Sequence, residues 1–110
     1  MMFETRTTPA GWYLDAFIKG PGYSQTLARP EKVRQLGRWH HVAQVCDGRR
    51  YATFVNGELE AEAEVAFTPQ GPGRSSVGVR MDHVDWFKGA IAVARFTPRA
   101  LTPAQFTMMR

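Results

Sequence analysis

The sequence predicts an all-β protein, an antiparallel β-sandwich with a short C-terminal helix. Three observations lead there. Gly and Pro recur at short intervals, from Pro9 and Gly11 through Gly20-Pro21-Gly22, Pro30, Gly37, Gly48 and Gly57 to Gly71-Pro72-Gly73, Gly78, Gly89, Pro98 and Pro103. The runs between them are short and rich in Val, Ile, Phe, Tyr and Trp, as in strands separated by turns. Asp47-Gly48 and Asn56-Gly57 are the dipeptides that best tolerate the positive φ angles of tight hairpin turns.

Taken in order, the predicted strands are Phe3–Thr7, Trp12–Ile18, Tyr23–Ala28, Trp39–Cys46, Arg49–Val55, Glu58–Phe67, Ser75–Arg80 and Phe87–Phe96. Glu31–Gln35 reads as a loop or a helical turn. Thr102-Pro103-Ala104-Gln105 reads as a helix start: Thr102 caps, Pro103 takes the first helical position and Gln105 reaches back. At 110 residues the chain is expected to form one domain, 1–110.

Composition narrows the function classes. The hydrophobic share of 44% and charged share of 22% are those of an ordinary globular protein. No apolar run is long enough to cross a bilayer, so no membrane partner is expected. Met1–Arg6 lacks the apolar stretch of a secretion signal, which leaves a cytoplasmic chain or a fragment of a longer secreted protein. A single cysteine, Cys46, permits no internal disulfide and no Cys-rich zinc motif. The formal charge of +4 comes mainly from scattered arginines, and Arg49-Arg50 is their only adjacent pair. Nucleic-acid binding needs a basic stripe or cluster and is not expected.

The stretch from Trp39 to Val65 reads as a three-stranded meander. With Asp47-Gly48 and Asn56-Gly57 as two-residue loops, Cys46 faces Arg49, Ala43 faces Ala52 and Phe54 faces Leu59. One face then collects Trp39, His41, Ala43, Val45, Arg50, Ala52, Phe54, Leu59, Ala61, Ala63 and Val65, nearly all apolar, which assigns it and Trp39 to the core. The other face, mostly polar, collects His40, Val42, Gln44, Cys46, Arg49, Tyr51, Thr53, Val55, Glu58, Glu60, Glu62 and Glu64. His40 and His41 point to opposite faces, so they do not share a metal ion. Same-side carboxylates along a strand lie about 6.6–6.8 Å apart. That falls within the roughly 6.5–9.5 Å of inverting glycosidases, so Glu58, Glu60 and Glu62 form an alternative catalytic row. The competing account is a solvated acidic face that pairs with arginines and protects the sheet from aggregation.

Arg38-Trp39-His40-His41-Val42-Ala43, followed by Asp47-Gly48 and Phe54-Val55-Asn56-Gly57, resembles the signature of laminin G-like domains. These belong to the concanavalin A-like lectin/glucanase group of jelly rolls. Val77-Gly78, Phe87-Lys88-Gly89-Ala90-Ile91 and Ala100-Leu101-Thr102-Pro103-Ala104-Gln105-Phe106 continue the resemblance in the same order. Two features depart from it. Ala92-Val93-Ala94-Arg95-Phe96 stands where the family carries an acid pair, and several N-terminal strands have no counterpart. The resemblance therefore implies a reduced concanavalin A-like jelly roll, and its uncovered edge implies a homodimer.

It also implies a lectin-like, non-catalytic module that binds a carbohydrate or a protein, with a glycosidase or an edge-pairing assembly subunit as alternatives. The residues best suited to binding are Asp82, His83, Asp85 and Trp86, which place two carboxylates, an imidazole and an indole on one loop. Tyr51 and Trp12 are the candidate aromatic platforms. Asp82 and Asp85 could bind calcium, which the family often carries at its rim; no other cofactor is expected. No nucleophile arrangement and no phosphate loop is legible.

Overall fold

A computed structural model of the chain describes residues 1–68, 71–84 and 86–106. Among the described residues, six strands form two antiparallel sheets. The first sheet is β1 (Met2–Thr8), β2 (Gly11–Gly20) and β3 (Tyr23–Ala28), in chain order. The second is β4 (Val42–Cys46), β5 (Arg50–Val55) and β6 (Glu58–Glu64), also in chain order.

Turn chemistry explains the first sheet. Pro9-Ala10 links Thr8 to its partner Gly11, and Pro21-Gly22 links Gly20 to Tyr23. Pro fixes φ at the first central position, and Gly22 supplies the positive φ of 78° that the second requires. Even-numbered residues of β2 then all point one way: Trp12, Leu14, Ala16 and Ile18 are buried. They pack with Leu27, Tyr51, Val55, Ala61 and Val65 to form the layer between the sheets. Gly11 is required for a further reason. A Cβ there would lie 1.9 Å from the carbonyl oxygen of Arg34, whose backbone exchanges hydrogen bonds with Trp12.

In the second sheet the Asn56-Gly57 hairpin forms as expected, with φ of 52° and 81° and Val55 opposite Glu58. The other turn sits one residue further along. Asp47 pairs with Arg50, and Gly48-Arg49 are the central residues, the glycine-first arrangement of type II′ turns. The Asp47 carboxylate stabilises this form by accepting the backbone N–H groups of Arg49 and Arg50. These bonds also lower the pKa of Asp47 below the usual carboxylate value. The register becomes Cys46 to Tyr51 and Ala43 to Phe54 rather than Cys46 to Arg49 and Ala43 to Ala52. The displacement is two residues, so the side chains of β4 and β5 keep their predicted faces relative to one another.

What differs is which face meets the other sheet. Tyr51, Thr53 and Val55 point inward and are buried, while Ala52 and Phe54 point outward and are buried too. Phe106 covers the outer face with its ring edge-on to Phe54 at 5.4 Å, and the Arg50 guanidinium lies 6.0 Å from the Phe54 ring centre. Trp39, expected in the core, is 68% exposed, because β4 begins only at Val42.

A β-bulge overturns the single glutamate row. Leu59 pairs with Phe54 and Ala61 with Thr53, so Glu60 is supernumerary. Before the bulge Glu58 lies opposite inward-facing Val55; after it Glu62 lies opposite outward-facing Ala52. Ala61 and Val65 thereby turn into the core.

The expected strands Ser75–Arg80 and Phe87–Phe96 are not strands in the described residues. A β-pattern becomes a strand only where a ladder accepts its backbone groups, and neither segment lies on one. Where the helix start is expected, the described residues form a 3-10 turn, Pro103–Gln105; Thr102 N–H donates to Gln105 Oε1 at 2.9 Å, as the capping pattern predicts, and residues 107–110 lie outside the described residues.

Candidate functional site

Among the described residues, the loop that follows Arg80 holds three of the predicted binding residues, Asp82, His83 and Trp86. Arg80 ties its base to β1 through two hydrogen bonds to the Glu4 carboxylate, at 2.9 and 3.0 Å. His83 N–H donates to the Arg80 carbonyl, and Val84 N–H to Asp82 Oδ1 at 3.0 Å. The first bond closes a turn that holds His83 at a φ of 64°. Its imidazole lies 6.1 Å from the Trp86 indole, and that indole is 65% exposed. An anchored loop thus presents an imidazole and a largely bare indole side by side. Asp85, the second expected calcium ligand, lies outside the described residues.

The two other aromatic candidates are not platforms. Tyr51 is fully buried between the sheets, with its hydroxyl donating to Gln44 Oε1 at 2.8 Å. Burial raises its pKa by penalising the phenolate. Trp12 is buried under Arg34, whose guanidinium lies 5.6 Å from its ring centre, and His40 packs edge-on at 4.9 Å. Both residues hold the two sheets together.

The carboxylates expected to form a row have separate partners. The bulge carries the Glu60 side chain inward to 3% exposure, where Arg34 donates to both its oxygens, at 2.7 and 2.8 Å. Lys32 approaches to 3.9 Å. The hydrogen bond to Glu60 raises the pKa of Arg34, against the opposing effect of burial. Glu62 pairs with Arg50 on the outer face, and Glu58 is exposed at the start of β6. Sequence reasoning missed Arg34, since a residue in a loop carries no local sign of a carboxylate 26 positions away.

The adjacent histidines separate as predicted. His40 packs on Trp12, while His41 stacks on Phe106 at 5.4 Å. His41 Nδ1 is buried with no hydrogen-bond partner among the described residues, and desolvation lowers the His41 pKa below 6.5. Between the depressed folded value and 6.5 the unfolded chain binds the proton more readily. The contribution of His41 is therefore complete above about pH 6.5 and is lost as pH falls through its folded value. The urea midpoint should fall between pH 7 and 5, and less steeply in His41→Phe; equal slopes would exclude His41 as the cause.

The chain matches the family described as the Concanavalin A-like lectin/glucanases superfamily over residues 2–106, nearly its whole length. It belongs to that family, and within it to the laminin G-like domains, as a reduced β-sandwich. No curated protein and no solved structure gave a match. Membership supports a lectin-like or binding module and leans away from catalysis.

Proposed function

We propose that the chain is a non-catalytic module that recognises a carbohydrate through the loop carrying Asp82, His83 and Trp86. One observation carries the reading: the exposed Trp86 indole stands beside His83 on a loop anchored by Arg80 to Glu4. A bare ring offers the apolar face of a sugar a stacking surface, while the Asp82 carboxylate and His83 imidazole suit its hydroxyls. Anchoring matters because a ring already held in place costs less to order on binding. Against the glycosidase alternative, the bulge divides the glutamates between two faces and commits Glu60 to Arg34.

A glycan array with and without calcium tests the proposal. Binding to at least one glycan class is expected, and Trp86→Ala should weaken it by about tenfold or more. Loss of binding in excess chelator would add calcium, with Asp82→Asn expected to reproduce that loss. Silence across the array in both conditions would overturn the carbohydrate reading.

A further inference from the structure

The second sheet has an edge with few of the usual protections. Asn56 N–H donates to the His41 carbonyl and Asp47 N–H to that of Arg50, which fixes the alternation along β4. The N–H and C=O groups of Val42, Gln44 and Cys46 therefore point away from β5, and no strand among the described residues pairs with them. Edge strands are normally blunted by charge or proline. β1 carries Glu4 and Arg6, β6 carries its glutamates, and β3 presents Ser24, Gln25 and Thr26. β4 has neither charge nor proline, and its one polar side chain, Gln44, is engaged by Tyr51.

The chain also contains a strand-forming run without a ladder. Gly89-Ala90-Ile91-Ala92-Val93-Ala94 is uncharged and exposed along its whole length. Val93 is 61% exposed and nearby Phe96 is 78% exposed. The segment is tethered before and after, by Arg80 on Glu4 and by Phe106 on His41 and Phe54. With both tethers closed, the run still does not pair with its own β4 edge.

We propose that segment 88–95 of one copy adds as a fourth strand to the β4 edge of a second copy, and reciprocally, forming a two-fold dimer. Each copy supplies one donor strand and one acceptor edge, so a closed pair satisfies both. Charge fits as well. Asp47 closes β4 with an exposed carboxylate, and the donor run is bounded by Lys88 and Arg95, so either strand direction brings a cation towards it.

Light scattering across micromolar concentrations, combined with amide exchange, tests this. A dimer is expected, with protection at Val42, Gln44, Cys46 and 89–94 rising together as concentration increases. Val93→Pro removes a ladder donor at an exposed site and should weaken the dimer by at least tenfold with an unchanged near-UV spectrum. Ile91→Lys provides the same test should the proline variant fail to fold. A monomer at every concentration, protection that does not depend on concentration, or a dimer that leaves the β4 amides exchanging freely would each overturn the proposal.

Discussion

Replacing Arg34 with alanine should lower the unfolding free energy by about 3 kcal/mol, the typical cost of leaving a buried carboxylate without its partner. The site meets the conditions for a value of that size. The Glu60 side chain is almost fully buried, both its oxygens accept from Arg34, and Lys32 at 3.9 Å is a distant substitute. Arg34 also covers Trp12 and exchanges backbone hydrogen bonds with it, so truncation uncovers part of the core. Urea denaturation should show the loss as a lower midpoint, and melting should fall by about 10 °C or more. The double variant Arg34→Met/Glu60→Leu should recover much of the loss, because it removes the stranded charge as well. A single variant within 1 kcal/mol of the parent would show that the pair is not shielded as described.

Tyr51→Ala should cost about 3–5 kcal/mol, the range for truncating a buried aromatic side chain. Tyr51 is the largest of the fully buried side chains, and its ring meets residues of both sheets. Tyr51→Phe separates ring from hydroxyl. It loses the bond to Gln44 and should cost about 1 kcal/mol. Neither change touches the Asp82–Trp86 loop, so glycan affinity should be unaltered under conditions where the variants are folded. A Tyr51→Phe variant with parental stability and lost glycan binding would return Tyr51 to the ligand site.

Much of the fold was legible because it is written in turn residues. Pro21-Gly22 and Asn56-Gly57 each fix a hairpin register by local backbone preference alone. The orientation of the second sheet was not legible, for a physical reason. β5 is a central strand whose Tyr51, Thr53 and Val55 on one side and Ala52 and Phe54 on the other are all buried. Alternation of apolar and polar residues cannot select a face where both are covered. The acids of β6 then favoured the wrong choice, since the bulge at Glu60 leaves no mark in a strict two-residue repeat. At the candidate site, the loop that Asp82, His83 and Trp86 share could be read directly, because polar and aromatic residues between two β-patterns signal a loop. The exposure of Trp39 could not: it depends on β4 starting three residues later than the pattern implies.

The supernumerary position of Glu60 has a bearing on chain length. With Leu59 opposite Phe54 and Ala61 opposite Thr53, dropping Glu60 would leave an ordinary ladder with every remaining β6 side chain on its present face. A shortened chain of this kind would keep the sandwich and lose only the inward carboxylate, together with the role of Arg34. Paired with Arg34→Met, such a deletion should be tolerated far better than a one-residue deletion in β5, where no spare residue can absorb the shift. The extra residue in β6 therefore serves the loop that Glu60 grips through Arg34, and the sheet itself does not require it.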